Sequence, residues 1–345
     1  MMKSTERVSA TIQGKSTDRR AFCPLLSLYG AKLAGHSLHE HYTSPEAYVR
    51  GQSAVLENFQ PDVLIGPFSL PKEGGAFGSQ YRIFENQAPN LKEPAFATPA
   101  AFQKAVLPDI NANKELLYFR ECVRLLAKTH GDKVPIAAIT AGPIDIGAMI
   151  FTIENWLNTI MFDEAGTQRV LEKTKLYFVE WANSLLSDGA SFLILPAAFT
   201  NPRIIPRKQA ISVVVPAMKE AFAQVKGPIV IHSAGAALAP FLDLFVGLPN
   251  VVGFVLNDGD NFTRARDIAG KTPVLMGNIE GPSLFMREKQ EIFEDCKALL
   301  ANRKDDPRFI LATSMADIDL QTPAENIKAF SEAIEEFAKE HNHAS

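Results

Sequence analysis

The chain has 345 residues, of which 46% are hydrophobic and 21% are charged, and its formal net charge is −4. This length can supply a large core, but a single α/β barrel uses a comparable amount of chain, so length does not fix the number of domains. The mild acidity and the scattered Lys and Arg residues exclude a basic surface of the kind that binds nucleic acid or an anionic membrane. We therefore expect the ligand to be a small molecule.

The three cysteines are Cys23, Cys122 and Cys296, and they form no CxxC pair. Their spacing is not typical of a disulfide framework or a zinc ribbon. The N-terminal segment is polar and lacks the apolar stretch of a signal peptide, and no apolar run is long enough for a transmembrane helix. These features predict a soluble, cytoplasmic protein that binds neither nucleic acid nor membrane.

Short apolar runs recur along the chain, separated by longer segments with helical periodicity. This alternation is typical of parallel strands that are buried on both faces. The predicted strands are residues 21–29, 62–68, 134–140, 191–197, 228–234, 251–256, 273–278 and 309–314. The predicted helices are residues 45–59, 112–131, 164–187, 206–225, 236–246, 262–269, 289–302 and 323–340.

Two of these helices have recognisable start signals. Residues 322–325, Thr-Pro-Ala-Glu, form a capping-box pattern with Pro at the first helical position, and residues 44–46, Ser-Pro-Glu, offer a similar start. The stretch 70–107 is rich in Gly, Pro and Asn and is too long for an ordinary βα loop, so we predict an extended loop region after the second strand. No internal repeat or linker composition appears, and a single domain over residues 1–345 is the simplest interpretation.

Eight strand and helix units predict an α/β fold, a single (β/α)8 TIM barrel. A doubly wound open sheet would show a similar alternation, but no GxGxxG motif follows the first strand, which disfavours that alternative. In a (β/α)8 barrel, the chemistry lies where strands end and loops begin, at the carboxyl ends of the strands. Polar residues at the strand ends are therefore the candidates for the site.

His232 stands at the end of the fifth predicted strand. An imidazole there can ligate a metal, transfer a proton or orient an anionic group, or it can be a core histidine bonded to a backbone carbonyl. The sixth strand ends in the polar run 257–261, which begins with Asn257 and suits either a turn or a carboxylate that faces the site. After the seventh strand, Asn278 and Glu280 lie among glycines that permit a close approach of the backbone to a ligand, or that simply form a βα turn.

Acidic residues follow two other strands. Asp317 and Asp319 come after the eighth strand, where they could share a metal or a proton or serve the loop, and Asp145 stands on a tight turn after the third strand. Near the first strand, Tyr29 and Lys32 could line the mouth of the barrel. Arg19 and Arg20 precede this strand and are expected to be solvated. None of these residues forms a Ser/His/Asp triad, a P-loop or a HExxH site.

The runs ARDIAGKTPVLMGNIEG at 265–281 and TPAENIKAF at 322–330 carry a resemblance to the uroporphyrinogen decarboxylase superfamily. The run ARDIAGKTPVLMGNIEG at 265–281 resembles its AR…GKT…GN-[IL]-[DE] segment, and TPAENIKAF at 322–330 resembles its TP-x-EN-I segment. Residues 141–143, Ala-Gly-Pro, resemble its G-x-P turn, and residues 231–235, Ile-His-Ser-Ala-Gly, resemble its H-x-C-G segment. Residues 61–94 share its layout of strand, helix and turn. The resemblance covers nearly the whole chain and implies a (β/α)8 fold.

The superfamily contains two chemistries, and the departures from its motifs bear on the choice. Decarboxylases of uroporphyrinogen carry an arginine-rich stretch after the first strand, but residues 27–32 here contain no arginine. Their aspartate after the second strand corresponds to Ser69, the tyrosine after the G-x-P turn to Met149, and the residue of their D-W turn to Asn257. A substrate with eight carboxylates requires cationic partners, so uroporphyrinogen decarboxylation is disfavoured.

The other branch resembles methylcobalamin:coenzyme M and corrinoid-dependent methyltransferases, which use zinc beside a corrinoid. The positions of its zinc ligands read His232, Ala234 and approximately Ala316 here, so only the histidine remains and the usual zinc-thiolate site cannot form. Glu73, Asp317 and Glu280 could offer oxygen ligands to a metal.

The leading interpretation is a corrinoid-dependent methyltransferase, with the corrinoid carried on a partner protein and a homodimer implied by the resemblance. The catalytic candidates are His232, which is also the candidate zinc ligand, Glu73 and Asp317. The candidates for substrate binding are Tyr29, Lys32, Asp145, Asn257, Asn278 and Glu280. The alternatives are a decarboxylase or lyase that acts on a smaller carboxylate, and a non-catalytic barrel that binds a tetrapyrrole or corrinoid.

Overall fold

The computed structural model describes residues 2–342, which form ten strands and sixteen α-helices. The strands are β1 Phe22–Cys23, β2 Leu64–Ile65, β3 Gln80–Arg82, β4 Asn90–Glu93, β5 Ile136–Ile139, β6 Phe192–Pro196, β7 Ile229–His232, β8 Val251–Val255, β9 Val274–Glu280 and β10 Phe309–Ser314. The first eight helices are α1 Ser4–Gln13, α2 Tyr29–Ala34, α3 Leu38–His41, α4 Pro45–Phe59, α5 Leu70–Gly75, α6 Pro99–Lys104, α7 Lys114–His130 and α8 Asp145–Ile150. The others are α9 Ile153–Phe162, α10 Glu164–Ser187, α11 Arg207–Gln209, α12 Val215–Phe222, α13 Ala239–Phe245, α14 Phe262–Ala269, α15 Lys289–Asn302 and α16 Ala324–Asn342. A π-helical turn at Ala210–Val214 joins α11 to α12, and a 3-10 helix spans Pro282–Met286.

Eight of the strands form one parallel sheet in the order β1, β10, β9, β8, β7, β6, β5, β2, which curls into a nearly closed barrel. Apart from the β3–β4 hairpin and the seam between β1 and β2, neighbours in the chain are neighbours in the sheet, as in a (β/α)8 barrel. All eight strands predicted from the sequence are present. The predicted TIM barrel is therefore confirmed, and the open doubly wound sheet is excluded.

The seam between β1 and β2 is closed by Asp62, just before β2. Its backbone N–H donates to the carbonyl oxygen of Phe22 at 2.7 Å, and its carboxylate accepts from the N–H of Phe22 at 2.8 Å. The same buried carboxylate pairs with Arg7 of α1 at 2.5 Å and with Arg19 at 2.7 Å. Asp62 thus joins the N-terminal helix to both strands of the seam.

The expectation that Arg19 and Arg20 are solvated is wrong. Arg19 is bound to Asp62, and its side chain is only 21% exposed. The guanidinium group of Arg20 is half-buried and donates to three carbonyl oxygens that follow α15, those of Arg303, Lys304 and Asp306. Both arginines lie at the amino ends of the strands because they precede β1, so they stabilise the end of the barrel opposite the candidate site.

The predicted loop region at 70–107 contains regular structure instead, in the form of α5, the β3–β4 hairpin and α6. Two of its Pro residues, Pro71 and Pro99, lie in the first turns of α5 and α6, and the hydroxyl of Thr98 accepts from the N–H of Ala101 at 3.2 Å. The hydroxyl of Ser79 donates to the carbonyl oxygen of Met149 at 2.8 Å and fastens the segment to α8. Short elements of this kind leave little periodicity in a Gly- and Pro-rich sequence.

The two predicted helix starts differ in outcome. Ser44 caps α4, since its hydroxyl accepts from the N–H of Ala47 at 3.2 Å. α16 begins at Ala324, but the hydroxyl of Thr322 is buried without a hydrogen-bond partner, so the predicted capping interaction does not form. Within residues 2–342, none of the helices has the length and apolar character needed to cross a membrane.

Candidate active site at the carboxyl ends of the strands

A small cavity of about 20 Å³ lies inside the barrel toward the carboxyl ends of its strands. It is referred to below as the axial cavity. Its lining is almost entirely apolar: Cys23, Pro24, Leu25, Ile65, Phe68, Ile139, Ile194, Pro196, His232, Val255, Met276, Ala312 and Thr313. Thr313 contributes a hydroxyl to this lining, and the hydroxyl accepts from the backbone N–H of Leu25 at 2.8 Å. None of the described residues that line the cavity is an Asp, Glu, Lys or Arg.

His232 is held at this cavity in a defined orientation. As the last residue of β7, it pairs in register with Pro196 of β6 and Val255 of β8. The chain then turns back at Ala234, which has a φ of +48°, so that the N–H of Ala234 donates to Nδ1 of His232 at 3.0 Å. A left-handed conformation is uncommon for alanine and is found where surrounding structure imposes it.

The opposite nitrogen of the ring, Nε2 of His232, is buried and has no hydrogen-bond partner within the described chain. Burial lowers the pKa of the imidazole to about 4, so the ring is neutral at physiological pH. A buried polar atom without a partner is rare in native proteins and calls for a ligand or a water molecule. Among the described residues that line the axial cavity, His232 is therefore the one whose side-chain polar atom, Nε2, is left without a partner.

The residues present do not fit a zinc ion. Residues 2–342 contain no group of three or more His, Cys, Asp or Glu side chains placed to hold a metal. Cys23 lines the same cavity as His232, but burial raises the pKa of its thiol to about 12, and a third ligand is missing. The two alanines that replace the usual cysteines, Ala234 and Ala316, lie in the loops that follow β7 and β10.

Further polar atoms without partners lie at the same end of the barrel. The hydroxyl of Ser233 follows β7, the side-chain amide nitrogen of Asn257 follows β8, and the hydroxyl of Ser69 follows β2, all of them buried and unbonded within the described chain. The side-chain oxygen of Asn257 is engaged, because it accepts from the N–H of Gly259 at 3.1 Å. The carboxyl ends of three strands thus carry buried donors that are not used by the fold.

Glu73 of α5 is buried behind the end of β5. Its carboxyl group accepts from the hydroxyl of Thr140 at 3.0 Å and from the N–H of Ala141 at 3.1 Å, and it lies 3.5 Å from the hydroxyl of Tyr177. Desolvation by burial raises the pKa of this carboxyl group to about 7. Glu73 does not line the axial cavity, so the structure does not bring it beside His232.

Asp145 and Asp317 are buried in the same manner at two other positions around the barrel. Asp145 accepts from the N–H of Phe199 at 2.7 Å and the hydroxyl of Thr200 at 3.0 Å, while Asp317 accepts from the N–H of Leu28 at 3.0 Å. Burial raises the pKa of each carboxyl group to about 7. Neither lines the axial cavity, and each joins two βα segments that are distant in the chain.

Two of the residues expected to bind substrate have their polar atoms bonded within the fold. Tyr29 is fully buried, with its hydroxyl donating to the carbonyl oxygen of Thr322 at 2.6 Å. The ammonium group of Lys32 is exposed and lies 2.7 Å from the carbonyl oxygen of Leu320. These two side chains fasten α2 to the segment before α16, and neither of them lines the axial cavity.

The polar loops after β8 and β9 mainly bind each other. The amide nitrogen of Asn278 donates to the carbonyl oxygen of Asn257 at 2.8 Å, and the carboxylate of Asp260 accepts from three backbone N–H groups, those of Leu238, Ala239 and Asn257. Asp260 therefore serves the turn, as does Asp319, whose carboxylate accepts from the N–H of Gln321. Glu280, at the last position of β9, is half-buried.

Sequence reasoning missed two kinds of residue. Cys23, Met276 and Thr313 line the axial cavity although they lie inside apolar runs, where a strand-end search does not look. Thr140 was at a predicted strand end and could have been found by that rule. Tyr177, the third neighbour of Glu73, lies in α10 and has no local signal, because its role depends on how this helix packs.

The fold and the position of the cavity define a (β/α)8 barrel with its candidate active site at the carboxyl ends of the strands. The family model described as uroporphyrinogen decarboxylase (URO-D) matches residues 3–337. The chain belongs to this family, as its motifs implied. No curated protein sequence matches it.

Solved structures share the fold at low sequence identity. A methyltransferase from Methanosarcina mazei superimposes with a TM-score of 0.87 at 18% identity, over 98% of this chain and 99% of that one. A B12-independent methionine synthase from Shewanella sp. W3-18-1 gives 0.59 at 12% identity, over 94% and 98% of the two chains. A putative vitamin-B12 independent methionine synthase from Listeria monocytogenes gives 0.51 at 12% identity, over 93% and 96%. At these identities the similarities establish the shared fold.

Proposed function

We propose that this protein is a methyltransferase that moves a methyl group between a small molecule and a corrinoid carried on a separate protein. The observation that carries the proposal is the uncharged axial cavity, where Nε2 of His232 is the side-chain nitrogen or oxygen atom without a partner among the described lining residues. A methyl group and the apolar part of a small molecule match this lining, since burying them there costs no desolvation of charge. The family and the similarity of its fold to a named methyltransferase agree with this choice.

The size of the cavity also bears on the corrinoid. A volume of about 20 Å³ admits only the end of a small molecule, such as a methyl or carbonyl group, so a corrin ring has to remain outside the barrel. A ring bound to a partner protein and presented at the mouth meets this condition. In the proposal, the corrinoid supplies or accepts the methyl group, while the barrel binds the small molecule, orients it and excludes water.

The residues of this chain then have distinct tasks. His232 contacts the small molecule in the axial cavity, and Asn257 and Glu280 lie at strand ends where a larger part of that molecule can reach them. Glu73 and Asp317 act from outside the cavity, as positioning residues that hold the βα segments around the mouth. With pKa values raised to about 7, their carboxyl groups can carry a proton at neutral pH.

The same geometry disfavours uroporphyrinogen as the substrate. Its eight carboxylates need cationic partners, and Arg19 and Arg20 are bound within the opposite end of the barrel. Decarboxylation of a smaller carboxylate, and binding without turnover, are outcomes that the following experiment distinguishes.

The test is an assay of methyl transfer with the purified full chain. Methylcobalamin, or a reduced cobalamin with a panel of small methylated compounds, is mixed with the protein, and the change in the cobalamin spectrum is followed together with methylated products. We expect a protein-dependent change that is lost in His232→Leu and kept in Arg264→Gln, a matched variant on the exposed surface of α14. Release of carbon dioxide from a panel of carboxylates without cobalamin would indicate a decarboxylase instead of a methyltransferase. Ligand binding with neither reaction would indicate a non-catalytic binding protein.

A further inference from the structure

We infer that His232 is an uncharged hydrogen-bond donor that takes the place of a metal ligand, and that the axial cavity selects small uncharged molecules with one acceptor atom. The inference deepens the proposed function and rests on it for the role of that molecule as methyl donor or acceptor. The state of the imidazole itself follows from contacts in the structure, independently of the reaction.

The position of the proton on the ring is set by Ala234. A neutral imidazole has one nitrogen that donates and one that accepts. The N–H of Ala234 points at Nδ1 at 3.0 Å, so Nδ1 must present its lone pair and the proton must be on Nε2. The ring nitrogen that is left without a partner in this cavity-lining residue is therefore an N–H donor and not a lone pair.

This arrangement opposes metal binding through Nε2. A metal at Nε2 would require the proton to move to Nδ1, where it would face the N–H of Ala234 donor against donor. Ala234 cannot easily turn away, because its φ of +48° belongs to a tight turn and the register of β7 with β6 and β8 holds His232 in place. Protonation of both nitrogens meets the same obstacle, so the neutral Nε2–H form is the one that the fold maintains.

The residues that line the axial cavity determine which molecules can bind to the Nε2–H group of His232. A carboxylate in the cavity would lose its water without meeting a cationic side chain, and an ammonium group would lose its water without meeting a carboxylate, since none of the described lining residues is an Asp, Glu, Lys or Arg. An uncharged molecule loses little hydration free energy, provided that its acceptor atom receives the hydrogen bond from Nε2–H. This donor would stabilise negative charge that develops on the acceptor atom in a reaction.

Two substitutions test the roles of the two imidazole nitrogens separately. In His232→Asn, the side-chain oxygen can take the place of Nδ1 and keep the bond from Ala234, but no donor reaches the position of Nε2. In His232→Gln, the side-chain nitrogen can reach the position of Nε2 and restore a donor to the cavity. The pair therefore distinguishes loss of the donor from loss of the turn.

The experiment is NMR on the full chain labelled with nitrogen-15 histidine, with acetone and acetate as probes of nearly equal shape and different charge. We expect His232, assigned from the spectrum of His232→Asn, to show the Nε2–H tautomer with and without added zinc. Acetone should shift its signal in a saturable manner, and acetate at the same concentration should not. Acetone binding, measured on both variants by ligand-observed saturation transfer, should weaken about tenfold in His232→Asn and be retained in His232→Gln.

A proton on Nδ1, one equivalent of zinc that removes the Nε2–H signal, or equal binding of acetate would each overturn the inference. If His232→Asn does not fold, the spectrum of His232→Gln supplies the assignment of the His232 signal. The comparison of acetone with acetate binding to the natural protein then tests the inference. The outcome is separable from that of the methyl-transfer assay. An Nε2–H donor that binds acetone in a protein without methyl transfer would remove the proposed function and leave this site intact.

Discussion

The carboxyl group of Glu73 gives a quantitative prediction about stability. Burial raises its pKa from 4.5 to about 7, so the folded protein holds this proton over a range in which the unfolded chain has already lost it. Between these two values the folded state binds one more proton, and the free energy of unfolding falls as pH rises, by about 1.4 kcal/mol per pH unit. The stabilisation is fully present below pH 4.5 and is lost as pH passes 7, a total of about 3 kcal/mol.

Glu73→Gln removes this titration while keeping the shape of the side chain. The amide oxygen can accept from the N–H of Ala141, and the amide nitrogen can donate toward the hydroxyls of Thr140 and Tyr177. We expect the variant to exceed the natural protein in stability by about 1 kcal/mol at pH 5 and by about 3 kcal/mol at pH 8.

The measurement is urea unfolding of both proteins at half-unit steps from pH 5 to pH 8. Glu85→Gln, on an exposed loop, is the matched control and should show no such trend. A difference between Glu73→Gln and the natural protein that stays constant over this range would refute the assignment of a raised pKa to Glu73. Lower methyl transfer in a variant that is more stable would indicate that Glu73 serves activity at the expense of stability.

Two further substitutions test the barrel itself. Asp62→Ala leaves Arg7 with Asp18 as its remaining carboxylate partner and removes the bonds of Asp62 to Arg19 and to the N–H of Phe22. It should cost about 3 kcal/mol in the free energy of unfolding, measured by urea denaturation; a cost under 1 kcal/mol would show that the seam does not depend on Asp62. Gly277→Ala would place a Cβ atom 2.9 Å from the carbonyl oxygen of Leu256 at a φ of +125°, whereas Gly247→Ala has a φ of +85° and open space around it. Thermal unfolding should therefore show a lower midpoint for Gly277→Ala than for Gly247→Ala, and equal midpoints would contradict the predicted clash.

The barrel was predictable because its strands are separated by long amphipathic segments. Helices α4, α14 and α15 begin and end at the predicted residues, and α4 does so because Ser44 and Pro45 mark its start within the sequence itself. The region 70–107 was predicted incorrectly because α5, α6 and the β3–β4 hairpin are too short to show a period. Their stability comes from packing against α7, α8 and α10, which a local pattern does not reveal.

The site was predictable in location and less so in composition. The rule that strand ends carry the chemistry located His232, since a polar residue that ends an apolar run is visible in the sequence. It does not reveal the bonds of Tyr29 and Lys32, because their partners Leu320 and Thr322 lie almost a full chain length away and meet them only when the barrel closes. The same closure brings Asp317 to the N–H of Leu28.

These observations lead to one view of the chemistry at this end of the barrel. Three carboxyl groups are buried there, those of Glu73, Asp145 and Asp317, and each has a pKa near 7 because burial outweighs the hydrogen bonds it receives. The imidazole of His232 is held neutral by burial. Buried groups that are biased toward their uncharged forms are poorly suited to bind an ionic substrate and well suited to an uncharged one. Alanines stand at the positions of the two zinc-binding cysteines, and the proposed tautomer of His232 presents an N–H group in place of a lone pair. Both features place a neutral hydrogen-bond donor where a zinc ion would otherwise bind.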